Sequence, residues 1–266
     1  MTLVTLVAAG VAPGAQPPAF DVVSIRRNLS GSQHTSIRRQ AGGGLNATNV
    51  TLRALVRTAY QLPDYQIAGG PDWITTHRFD VVAIGGPADA SLEVLTAKLQ
   101  ALLADRFGLV ARREMREVPT YELVMPAPGR PGPRLRPSTA DCAGLAAARA
   151  RGEAQSGTVP TCGTARGGAG EMTASGVTMA ELARNLSAGA GRLIVDRTGL
   201  AGGYDFDLSW AADPEATAGP SPGDRATDTR PSLFAAVQEQ LGLKLEPRRG
   251  LVDVLVIDRA ALPAEN

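Results

Sequence analysis

Apolar residues recur at Leu52, Leu55, Val56 and Ala59, and again at Met179, Leu182, Ala183 and Leu186. An i, i+3, i+4, i+7 spacing lays one apolar stripe along a helix. Thr51 and Thr178 stand just before these stripes, where a hydroxyl can accept from an orphan helix N–H. Glu181 follows Thr178 by three residues, which completes a capping box. Pro63 ends the first helix; Gly189 and Gly191 end the second. Short β segments precede them, Leu45–Ala47 and Met172–Ala174. Two strands follow each, Tyr65–Ala68 with Arg78–Ala83 and Arg192–Val195 with Tyr204–Trp210. A second amphipathic helix runs from Ser91 to Phe107, with Leu92, Leu95, Leu99, Leu102 and Leu103 inward; its counterpart, Ser232 to Leu241, is shorter. Each half is expected to close with a strand pair, Leu109–Glu117 then Thr120–Met125, and Leu243–Arg248 then Leu251–Asp258. Arg249-Gly250 supplies the second turn.

These parallels come from one internal repeat. Shifted by 127 residues, Leu45–Val81 lies on Met172–Leu208 without a gap. Identical pairs include Val50/Val177, Thr51/Thr178, Ile67/Ile194, Phe79/Phe206 and Asp80/Asp207. Beyond this the halves realign, so that Phe107-Gly108-Leu109 matches Leu241-Gly242-Leu243. The expected fold is α+β, with β-α-β-β-α-β-β twice and helices covering one face of each small mixed sheet. The expected organisation is an export segment over residues 1–19, a first repeat over 20–125, a Pro/Gly-rich linker over 126–170 and a second repeat over 171–266. An extra strand at Phe20–Ile25 and a loop over 28–44 precede the first copy's core.

Residues Leu3–Ala12 are apolar and uncharged, and a Pro/Gly/Ala stretch follows, as at the end of a secretory signal. The run is too short to span a bilayer, which takes about 20 residues, and no later segment is apolar enough. The chain is therefore read as exported, to the periplasm or beyond. In that compartment the even cysteine pair, Cys142 and Cys162, is expected to form a disulfide. From Val22 to Pro63 the chain carries Arg26, Arg27, Arg38, Arg39, Arg53 and Arg57 and no acid. This segment is a candidate surface for an acidic partner or an anionic glycan. The whole chain has a net charge of only +1, and the segment lacks interleaved aromatics, which argues against nucleic acid.

Catalytic signatures are missing from the sequence. His34 and His77 are the only imidazoles, and spacing gives neither a partner. There is no Gly-x-Ser-x-Gly elbow, Cys-x-x-Cys, His-Glu-x-x-His or Walker lysine. Asp80 and Asp207 each follow an inward Phe on a strand and are expected to face outward as structural positions. No catalytic, cofactor or metal residues are assigned, and no cofactor is expected.

Several motifs together resemble a family of exported proteins of unknown function abundant in soil Acidobacteria. They are Phe20–Arg26, Asn46–Leu55, Ala101–Phe107, Val195–Leu200 and Val256–Arg259. That family offers no catalytic residues to carry over, and its resemblance implies export. The repeat order also resembles the short N-terminal domain of secretins and TonB-dependent receptors, most closely over Gly176–Leu182. This implies a periplasmic docking platform rather than an enzyme. The leading expectation is an envelope-associated docking module that binds a protein partner, for instance by accepting a strand at a sheet edge. The alternatives are a small-molecule site or hydrolase in the groove between the repeats, and anionic surface binding through the Arg-rich segment.

Overall fold

The computed structural model describes residues 18–32, 34–40, 42–85, 91–127, 129–140, 142, 144, 151, 163–168, 170–211 and 229–264. Residues 1–17 of the export segment, Cys162, most of the linker's centre and most of the loop over 211–231 lie outside them. The fold is mixed α+β, with three four-stranded sheets among these residues.

The first sheet holds β1 (Val22–Arg27), β2 (Ser36–Gln40), β3 (Gly44–Thr51) and β5 (Arg78–Ile84) in the order β1-β5-β3-β2, all antiparallel. The third sheet repeats it with β7 (Leu135–Pro137), β8 (Thr164–Gly168), β9 (Glu171–Val177) and β11 (Tyr204–Ser209) in the order β7-β11-β9-β8. Two sequence expectations are corrected here. The stretch expected as a loop contains β2, and the stretch expected as a linker contributes β7 and β8. The glycines that suggested irregular chain sit where hairpins turn. Gly42, Gly43 and Gly170 have φ of 81°, 68° and 88°, a region open to glycine at little cost.

The helices are α1 (Leu52–Tyr60), α2 (Trp73–Thr76), α3 (Leu92–Arg106), α4 (Met179–Ala190) and α5 (Leu233–Leu241). Thr51 and Thr178 cap α1 and α4 as expected, and Glu181 closes the box by accepting from the Thr178 N–H at 2.9 Å. Ser91 and Ser232 cap α3 and α5 in the same way. The stripe of α3 differs at one end. Leu92, expected inward, is 48% exposed in the first turn. Lys98 is buried instead; its Nζ donates to the Gly85 carbonyl at 2.9 Å and lies 5.5 Å from the Phe20 ring centre. The long apolar stem of lysine makes that burial possible.

A bulge recurs in both outer sheets. Asn49 (φ 56°) and Gly176 (φ 62°), 127 residues apart, interrupt β3 and β9. The N–H of Asn49 donates to Asp80 at 2.8 Å and that of Gly176 to Asp205 at 2.8 Å, so an acid on the neighbouring strand fixes each bulge. Asp207 accepts from Thr173 Oγ1 at 2.9 Å.

The middle sheet departs most from expectation. The segments read as closing hairpins are single long strands, β6 (Val110–Val124) and β12 (Lys244–Arg259), paired antiparallel along their length. Arg249-Gly250 lies in mid-strand rather than in a turn. The short β4 (Ile67–Gly69) runs parallel to β12, and β10 (Ile194–Asp196) parallel to β6, giving the order β10-β6-β12-β4. Each half therefore lends its last strand to the other. Ile67 pairs with Leu255 and Ile194 with Tyr121. Leu255 and Ile257 belong to the first half's core, whereas Leu123 belongs to the second half's. Glu117 faces Leu251, 134 residues later, which is the same shift that aligns the Phe107-Gly108-Leu109 turn with Leu241-Gly242-Leu243. A local two-fold axis thus passes through this pair.

Candidate functional site

The middle sheet joins the two halves, and the centre of its helix-bearing face is open. Side chains alternate along a strand, and directly opposed residues share a face. Arg113, Met115, Glu117 and Pro119 of β6 therefore share a face with Arg249, Leu251 and Asp253 of β12. At either end this face enters a core, through Leu109 and Leu255 on one side and Leu123 and Leu245 on the other. Between them lies a saddle. Met115 is 60% and Leu251 69% exposed at its centre. Arg113 pairs with Asp253, and Arg249 Nε lies 3.6 Å from Glu117 Oε2, so ion pairs flank the two apolar side chains.

Each half supplies a wall. Tyr60, at the end of α1, has its pKa raised by burial, and the nearby Arg113 charge pulls it partly back. Gln66 Nε2 donates to the Asp253 carbonyl at 3.0 Å and fixes the margin of β12. On the other side Phe234, 41% exposed, meets Tyr121 edge-to-face at 5.1 Å. The Arg192 guanidinium stands 5.4 Å from the Tyr121 ring. The saddle is thus apolar at its centre, aromatic on both walls and charged around its floor.

The opposite face of the sheet is different. Glu114 lies between Arg112 (3.1 Å) and Arg116 (2.8 Å), and Glu122 pairs with Arg248 (3.1 Å). The hydrogen bond from Arg116 holds the Glu114 carboxyl below its ordinary pKa. Val252, Val254 and Val256 are buried beside Ala68, Val118 and Leu193.

The structure disperses the six arginines of the acid-free segment. Arg26 and Arg38 are exposed on β1 and β2, the opposite edges of the first sheet, about 14 Å apart at ordinary strand spacing. Arg27 lies on the core side, its guanidinium 5.9 Å from the Phe79 ring. Arg39 faces buried Leu45 across the strand pair. Arg53 donates to Asp64 at 2.6 Å and to the Ile67 carbonyl at 2.9 Å, tying α1 to β4. Arg57 is exposed on α1. Two of the six thus have internal roles, and the rest point in several directions.

Cys142 Sγ lies 3.8 Å from the Gly176 carbonyl oxygen; Cys162 lies outside the described residues. His34 is exposed, and its carbonyl accepts from buried Asn49 at 2.9 Å. His77 stacks near Trp73 at 5.9 Å, and its buried Nδ1 has no hydrogen-bond partner among the described residues. Among those residues no group of three or more His, Cys, Asp or Glu is placed to hold a metal ion. No helix among them is long and apolar enough to cross a membrane.

Sequence reasoning missed the saddle residues because it folded each strand back on itself. The available signal was the exposed-type pattern Arg113-Glu114-Met115-Arg116-Glu117, where an apolar residue sits alone among charges.

Fold and site define a class: an α+β protein of two similar halves that exchange their last strands across a common sheet. The chain belongs to the family described as "Protein of unknown function (DUF3738)", whose match spans residues 53–260. No curated protein and no solved structure matches the chain.

Proposed function

We propose that this chain is an exported, envelope-associated docking module that binds a protein partner on the saddle and performs no catalysis. The observation that carries the reading is the pair Met115 and Leu251, both more than half exposed on the same face of the middle sheet. Exposed apolar side chains grouped with aromatic walls and rimmed by charge are the composition of a protein-binding surface. The apolar Leu3–Ala12 stretch supports export, and so does the cysteine pair. A Cys142–Cys162 disulfide is part of the proposal. Gly163, next to Cys162 in the chain, donates to the Ser175 carbonyl, and Cys142 approaches Gly176 from the other side.

The test is crosslinking of the native envelope fraction followed by mass spectrometry. One reproducible envelope protein should be recovered with the wild type and lost with Leu251→Asp and Phe234→Ala. Recovery that is indifferent to both substitutions would overturn the site. Turnover in a broad hydrolase screen would overturn the docking role.

A further inference from the structure

The outer edge of β6 meets no other strand among the described residues until Tyr121, where β10 begins to pair. The N–H of Tyr121 donates outward to Leu193 and the Leu123 carbonyl accepts outward from Arg197. Backbone direction alternates along a strand, so Ala111, Arg113, Met115 and Glu117 also present their N–H and C=O groups outward. The Glu117 carbonyl accepts from Arg249 Nη2 at 3.2 Å and keeps a second lone pair. The matching edge of β12 is less available. Each edge lacks one outward donor, at Pro119 on β6 and at Pro247 on β12, but on β12 Gln66 also occupies the Asp253 carbonyl.

The side chains on this open edge are self-complementary. Consider two copies of β6 running antiparallel about Met115. Outward residues then meet outward residues, as the hydrogen bonding requires. Arg113 falls opposite Glu117 of the second copy, Glu114 opposite Arg116, and Met115 opposite Met115. Each charged pair occurs twice, and every one is attractive. Sliding one copy to the next hydrogen-bonded register sets Glu114 against Glu114 and Arg112 against Arg116. Sliding the other way sets Arg116 against Arg116. Mixed charges on an edge ordinarily deter pairing, yet this order favours one register and opposes its neighbours.

We propose that β6 is a dimerisation edge, and that its occupant is a second copy of this chain paired antiparallel around Met115. The two middle sheets then form one continuous sheet, and their saddles lie side by side.

Sedimentation equilibrium of the full mature chain over a concentration series tests this. The wild type should dimerise. Glu117→Arg sets two arginine pairs face to face, and Arg113→Glu sets two glutamate pairs face to face. Each should weaken association by roughly tenfold or more. An equimolar mixture of the two variants restores Arg opposite Glu at both positions and should form a heterodimer. That recovery also shows that both variants are folded. A wild type that stays monomeric at every concentration overturns the proposal. So does a dimer unaffected by either variant, or a mixture that fails to recover. Leu251→Asp lies on β12 and should leave the dimer intact, so loss of partner binding and loss of dimerisation are read separately.

Discussion

Thr178 shows what a single side chain contributes. Its hydroxyl accepts from the Glu181 N–H at 3.3 Å, and the Glu181 carboxylate accepts from the Thr178 N–H at 2.9 Å. The backbone hydrogen bond, with a second from the Thr178 hydroxyl, holds the Glu181 pKa below its ordinary value. Thr178→Ala should cost about 1 kcal/mol in urea unfolding at neutral pH. A carboxyl whose pKa is depressed by folding stabilises above its unfolded-state pKa and loses that contribution as pH falls through its folded-state value. The difference between wild type and variant should therefore narrow in acid, and a difference that widens there would contradict the assignment. Such caps were legible in the sequence because they are local. Lys98 was not, since its burial depends on the Gly85 carbonyl and the Phe20 ring, both far away in sequence.

At the scale of elements, helices and first-order strand positions followed from spacing, but strand continuity did not. Val118-Pro119 and Arg249-Gly250 carry residues that usually mark turns. Pro119 and Pro247 fit inside long strands because they stand at outward positions, where the missing N–H has no ladder partner within the chain to lose. Gly250 meets Val118 across the ribbon. The partner that keeps each strand extended lies in the other half of the chain, and no window of sequence reveals it. The cysteines act at the same scale. The proposed Cys142–Cys162 bridge closes a loop of about 20 residues and should add roughly 3 kcal/mol. Reduction should lower the urea midpoint accordingly, whereas an unchanged midpoint with two alkylatable thiols in the unreduced protein would refute the bridge.

For the whole molecule, the exchange of strands couples the two cores. Leu255 sits on the second half's strand but in the first half's core. Leu255→Ala should cost about 2–5 kcal/mol and destabilise both halves together. Trp73 packs on the first core and Trp210 on the second, so variants retaining one tryptophan each report the halves separately. Their unfolding curves should coincide; two separate midpoints would show that the halves are independent.

Covalent order and spatial order disagree in this protein. A cut after Pro126 leaves β6 on one piece and β12 on the other, each carrying residues that the opposite core needs. Neither piece alone has a complete interior, but together they do. Co-expressed as two polypeptides, they should reassemble without a peptide bond between them. Seen this way, the chain is a two-subunit assembly whose subunits happen to be joined end to end.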